Sequence, residues 1–141
     1  MIPAMVSLTE QQEAFKPKPY RDSRGFWTVG FGTNLDAGIT REQAEALMRC
    51  QLDANEQALL AFPWFAGLDP VRRGVIENMA YNMGVSDVLG FEDMIAAIEA
   101  KDWPEAARQM RASKWAVQVG KDRVDVLSDI METGEMPDAS L

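Results

Sequence analysis

The sequence predicts an α+β fold, mainly α, in which one small antiparallel sheet near the N-terminus precedes a series of helices. Three observations predict it. Residues 18–35 alternate aromatic and apolar side chains with turn formers, in the order Tyr20, Phe26, Trp27, Val29 and Phe31. Residues 40–62 then carry apolar residues at helical spacing behind a capping signal. From residue 69 onward every periodic segment has the helical period. The chain of 141 residues suits a single domain with a sizeable core. Its 47% hydrophobic and 26% charged residues exclude a disordered chain.

The elements follow in order. Residues 3–14 read as a first helix, opened by Pro3 at a first helical position or, later, by a Ser7–Glu10 capping box. Pro17 and Pro19 stop it and start extended chain. Asp22-Ser23-Arg24-Gly25 is a turn signal, and Gly30 and Gly32 inside a strand pattern point to a bulge or a close backbone approach. Thr40 and Gln43 form a capping box, with Ile39 and Ala44 placed as a hydrophobic staple. Ala44, Leu47, Met48, Leu52 and Leu59 make the apolar side of a helix ending at Pro63, about 22 residues and roughly 33 Å long. Asp69, Pro70 and Gly84 bound a helix over 69–83 whose inward stripe is Val71, Val75, Met79 and Met83. Further helices are expected over 91–101, after an Asp102–Glu105 capping box, and over 121–133, where Gly134 closes the last. Trp115 falls in a short segment between them and reads as core packing, and the tail 135–141 reads as frayed. The element pattern groups the first helix with the sheet as one lobe and the later helices as the other, and a cleft between lobes is a usual place for a site.

Composition removes whole classes of chemistry. The chain has no histidine and a single cysteine, Cys50, which excludes an internal disulfide, Ser-His or Cys-His catalysis and a zinc site of the usual ligands. Catalysis must use carboxylates, hydroxyls or cationic side chains; no metal or cofactor is expected. A net charge of −8 argues against sequence-independent nucleic-acid binding and opposes approach to an anionic wall. The N-terminus lacks the pattern of a signal peptide, and no apolar run has the length of a membrane span. The expectation is a protein made in a host cytoplasm, without stable membrane insertion, that reaches an outside substrate by a separate release route.

Two carboxylates stand out. Glu13 lies near the end of the first helix, and Asp22 follows nine positions later, just before the β-like segment holding Thr28. A glycosidase commonly uses one carboxyl to protonate a leaving oxygen and a second carboxylate across the scissile bond. Taken singly, Glu13 also suits a solvated helix end, Asp22 a turn and Thr28 an ordinary strand.

The joint pattern E-x8-D-x2-G-x2-T-x-G-x-G, with Tyr20 two before the Asp, resembles the catalytic segment of the phage-type lysozymes, glycoside hydrolase family 24. Leu68-Asp69-Pro70-Val71-Arg72-Arg73, Asn78 to Gly84, Phe91, Trp103 to Ala107, Ser113-Lys114-Trp115 and Thr133-Gly134 extend the resemblance over about residues 5–135. It implies a lysozyme-like two-lobe fold in a single domain, 1–141. The small lobe would span about 12–40, the linking helix about 41–62, and the helical lobe about 63–134 together with residues 1–11. It implies Glu13, Asp22 and Thr28 as catalytic residues, and Arg123 as the supporting partner that orients Glu13. Asn34, Tyr81 and Asn82 become substrate-binding positions. The implied function is hydrolysis of the β-1,4 bond between N-acetylmuramic acid and N-acetylglucosamine in the peptidoglycan glycan strand by a monomeric enzyme, in phage-induced host lysis. The alternative is a catalytically weak glycan-binding or structural module of a phage particle; chitin is a further candidate substrate. Departures from the family pattern are Thr33 in place of a His, the short segment from Leu35 to Ile39, and the acidic charge.

Overall fold

The computed structural model describes residues 1–138; the part of the tail at 139–141 lies outside the described residues. The fold is α+β and mainly α, as expected. Its elements are helix α1 (Pro3–Gln12), strands β1 (Lys16–Arg21), β2 (Trp27–Gly30) and β3 (Thr33–Asn34), and helices α2 (Arg41–Leu59), α3 (Pro63–Ala66), α4 (Pro70–Met83), α5 (Val85–Leu89), α6 (Glu92–Glu99), α7 (Trp103–Arg111), α8 (Lys114–Val119) and α9 (Lys121–Thr133). They divide into two compact units, Met1–Leu47 and Met48–Leu141, and the division falls inside α2.

In the first unit, Pro3 occupies the first turn of α1 with Ile2 at the N-cap, so the Ser7–Glu10 box is not used. The helix ends at Gln12, and Glu13 is already extended. The sheet is antiparallel in the order β1-β2-β3. Tyr20 pairs with Thr28, Arg21 with Trp27 and Thr28 with Asn34, and the β1 register shifts between Lys16 and Tyr20. A backbone bond from Asp22 N to Phe26 O (2.9 Å) carries the first ladder one pair further. By alternation the N–H positions of Pro19 and Arg21 face the open edge of the sheet. Proline, which has no donor to lose, fits there and denies that edge to a further strand. The Asp36 carboxylate accepts from Trp27 N (3.0 Å), and Leu35 N donates to Trp27 O (2.7 Å), which fixes the short segment leading to α2.

The Thr40–Gln43 box forms in both directions, at 2.8 and 3.1 Å. α2 is nevertheless shorter than the periodicity suggests, with 19 residues. Pro63 opens a helix of its own, α3, instead of merely ending α2. Of the apolar residues on α2, Leu59 is buried, whereas Leu47 is 64% exposed. Helical spacing marks an apolar side, but burial also requires something packed against it.

The second unit holds the described core, built from Leu59, Phe65, Val75, Ile76, Met79, Met94, Met110, Trp115, Leu127 and Met131 among others. α7 packs on α6 and α9, and α4 on α5 and α9. Asp69 caps α4, accepting from Arg72 N at 3.1 Å. Burial pushes the Asp69 carboxyl up, but the hydrogen bonds and charge of Arg72 outweigh it and hold the group below its ordinary value. Arg72 also donates to Met131 O (2.7 Å) and Glu132 O (3.0 Å), satisfying the C-terminal carbonyls of α9, and lies 4.0 Å over the Trp103 ring. Gly134 has φ +72, and a Cβ there would stand 2.7 Å from the Arg72 guanidinium. The last helix therefore ends at a glycine for two reasons, conformation and space.

Two expectations are corrected here, and one helix is added. The Asp102–Glu105 box forms in one direction only: Asp102 accepts from Glu105 N (3.2 Å), while the Glu105 carboxylate is taken by Arg108 (2.6 and 2.7 Å) and Gln109 (2.9 Å). A charge-assisted bidentate pair outcompetes a neutral backbone donor, and it lowers the Glu105 carboxyl to about 2. The helix over 91–101 ends at Glu99, because Lys101 turns left-handed (φ 56) and brings Asp102 N to Ala97 O at 2.8 Å. This is a Schellman end with lysine where glycine is usual. The helix α5 had no signal in the sequence; Gly84 (φ +91) ends α4 and the chain restarts at once.

Candidate active site

Strand alternation gathers the expected residues of the first unit on one side of the sheet. Thr28 lies on the central strand, with Tyr20 its partner on β1 and Asn34 its partner on β3. Paired residues present their side chains to the same face, and Asp22, two positions after Tyr20, shares it. Thr28 is buried, and its hydroxyl donates to Phe26 O at 3.0 Å. Asn34 accepts from Ala37 N (3.2 Å), so its carboxamide also holds the turn that follows β3.

Asp22 does two jobs. Its Oδ1 accepts from Arg24 N and Phe26 N, both at 2.9 Å, which is the turn role read from the sequence. These bonds hold the carboxylate in place on the face it shares with Thr28, and no bond to its Oδ2 is formed within the unit.

Glu13 follows the last residue of α1, with its backbone N bonded to Thr9 O (2.9 Å). Its carboxylate reaches the turn between β2 and β3. A Cβ built on Gly32 would stand 3.1 Å from Glu13 Oε2. Gly32 has φ +82, so the glycine serves both the turn and the close approach of the acid. This is the approach that glycines inside the strand pattern predict. Within its unit the Glu13 carboxylate makes no hydrogen bond or ion pair and remains exposed. Phe15 and Phe31 flank this end of the sheet with ring centroids 5.3 Å apart.

The remaining expected residues belong to the second unit. Arg123, on α9, donates to Asn78 Oδ1 at 2.7 Å. Asn82, on α4, accepts from Trp115 Nε1 at 2.9 Å, and Trp115 is buried against Phe91 at 6.4 Å. The core reading of Trp115 therefore holds, and Asn82 secures it. Tyr81 is 40% exposed beside it in the chain. Sequence reasoning assigned no role to Asp36 or Asn78. Neither carries a spacing signal, because their partners, Trp27 and Arg123, lie far away along the chain.

What the first unit can do chemically is specific. It presents a freely exposed carboxyl, a second carboxylate held by backbone donors, and a buried hydroxyl on the same face as that second carboxylate.

A model of the phage lysozyme family matches residues 10–129, which include all three groups. The chain is 27% identical, over 96% of its length and 98% of the relative's, to Probable T4-type lysozyme 1 of Dictyostelium discoideum. It is 23% identical to Probable T4-type lysozyme 2 of the same organism over the same shares. It is also 27% identical to the Pre-baseplate central spike protein Gp5 of Enterobacteria phage T4, matching 94% of this chain but 28% of that protein. These alignments run longer than the chain itself, 167 columns for the first, so the relatives carry insertions that this chain lacks. The chain belongs to the phage lysozyme family and is a glycosidase of the peptidoglycan-hydrolysing kind.

Proposed function

We propose that the protein cleaves the β-1,4 bond between N-acetylmuramic acid and N-acetylglucosamine. The observation that carries this is that one small unit holds both an exposed Glu13 carboxyl at the β2–β3 turn and an Asp22 carboxylate fixed by two backbone donors. Glu13 gives its proton to the glycosidic oxygen, and the C1–O bond breaks with positive charge developing at C1. Asp22 stabilises that charge and then acts in one of two ways. Either it takes a proton from a water that attacks C1, after which exchange with solvent returns Glu13 to the acid and Asp22 to the carboxylate, or it attacks C1 itself, after which a water that gives its proton to Glu13 releases the sugar. Thr28, beside Asp22, positions the water or the sugar. Arg123 enters as the residue that orients Glu13, on the strength of the family resemblance, and Asn34, Tyr81 and Asn82 enter as sugar contacts on the same ground. The test is digestion of purified peptidoglycan with identification of the new reducing end. Reducing N-acetylmuramic acid is expected. Reducing N-acetylglucosamine would overturn the assignment of the bond, and equal release from chitin would overturn that of the polymer.

The biological setting proposed is host lysis, from the cytoplasm through a separate release route. One observation favours a second reading, a module of a phage particle: the similarity to the central spike protein over a small part of that protein's length. A structural module with spent chemistry would bind peptidoglycan and release no reducing sugar.

A further inference from the structure

The acidic charge of the chain is unevenly spread. Met1–Leu47 has five Lys and Arg against six Asp and Glu, whereas Met48–Leu141 has nine against sixteen. Four of the five cations in the first unit, Lys16, Lys18, Arg21 and Arg24, fall in the strand and turn around Asp22, and all four are exposed. Among the described residues of that unit none of them forms an ion pair, although Arg41 of the same unit pairs with Glu45 at 3.7 Å. Three rest on aromatic rings instead: Lys16 Nζ lies 4.1 Å from the Tyr20 centroid, Arg24 5.6 Å from Phe26 and Arg21 4.5 Å from Trp27. A cation seated on a ring keeps its charge and its outward donors while losing rotamer freedom, which prepares it for an anion. Pairing then separates the three. Tyr20 and Phe26 share the face of Asp22 and Thr28, whereas Trp27 and Arg21 face the other way. Arg21 also spends a donor on Gly25 O at 3.1 Å.

We infer that Lys16 and Arg24, with Lys18 beside them, bind the carboxylates of the peptide stems attached to the glycan strand next to the bond being cleaved. The inference rests on the proposed hydrolase reading for its substrate. It explains how an acidic chain engages an anionic polymer: the face that meets the polymer is the one part of the first unit with clustered, unpaired cations. Wall phosphate polymers offer similar anions, so the choice of substrate has to separate the two sources.

The experiment compares two polymers, both free of wall phosphate: peptidoglycan with intact stems, and the same glycan stripped of stems by an amidase. Cosedimentation and reducing-sugar release are measured on each for the wild type, the Lys16→Gln/Arg24→Gln double variant and the Arg21→Gln variant. The wild type is expected to bind stem-bearing polymer more tightly. The double variant should lose that preference, with about a tenfold rise in KM and a smaller change in kcat, as a few exposed charge contacts would give. Arg21→Gln, which removes one positive charge from the opposite face, should keep the preference. The inference is overturned if the double variant keeps it, if Arg21→Gln loses it equally, or if the wild type shows no preference between these two phosphate-free polymers. Absence of cleavage on both polymers overturns the hydrolase reading, and the binding comparison still decides the role of the cations.

Discussion

The two units of this chain are built on opposite terms. Met48–Leu141 contains the described hydrophobic core, including Phe65, Ile76, Met79, Met110 and Met131 with essentially no exposure. Met1–Leu47 has no buried residue but Thr28, and it exposes Phe15, Phe31, Trp27 and Leu47. Yet Glu13, Asp22, Thr28 and Asn34 all belong to the second kind of structure, held by backbone ladders, turn bonds and glycine conformations instead of packing. On the proposed reading, the two acids that carry the chemistry lie outside the part of the chain that holds the core. Mutations should therefore separate into those that unfold it and those that disarm it.

The largest effect on stability is expected from Met79→Ala, which opens a cavity in the core and should cost about 2–5 kcal/mol in denaturant unfolding, while the folded fraction retains its turnover. Gly32→Ala should do the reverse. The added methyl meets Glu13 Oε2 at 3.1 Å, at a φ of +82 that an alanine rarely adopts, so the acid shifts by a few tenths of an ångström and kcat should fall, by less than the roughly hundredfold of a ~1 Å misplacement. Its melting temperature should move far less than that of Met79→Ala. Gly134→Ala brings a methyl against Arg72 in a left-handed backbone, and about 1–3 kcal/mol of stability should be lost with little change in turnover.

The smallest effect is pH-linked. Burial raises the Glu77 carboxyl above its ordinary 4.5, helped by Glu56 and Asp53 and opposed by Arg73. Below 4.5 the group is protonated whether the chain is folded or not, and it costs nothing. Above its folded value it is ionised in both states, and the burial penalty is felt in full. Glu77→Gln should therefore stabilise the protein at pH 7, by well under 1 kcal/mol because solvent screens a half-exposed group, and the gain should fade toward pH 4.

Much of this was legible in the sequence, and for local reasons. The Thr40–Gln43 box, the Asp69 cap and Gly134 act within a few residues, so spacing reveals them. The face shared by Tyr20, Asp22, Thr28 and Asn34 follows from strand alternation once the turns are placed. Features that depend on partners distant in sequence were not legible: the hold of Arg72 on the end of α9, the Trp27–Asp36 bond and the Arg123–Asn78 pair. Lys101 and Glu105 show a further limit. A lysine can take the place of a C-terminal glycine, and an arginine three residues on can take the carboxylate from a capping box.

The central claim is that Glu13 in the sparsely packed unit carries the chemistry without carrying the fold. The direct measurement is reducing-sugar release from peptidoglycan by Glu13→Gln, alongside its thermal unfolding. The account predicts a loss of about a thousandfold in kcat, the scale of a removed general acid, with a melting temperature equal to that of the wild type. Turnover retained in Glu13→Gln, or lost only because the variant unfolds, would contradict it.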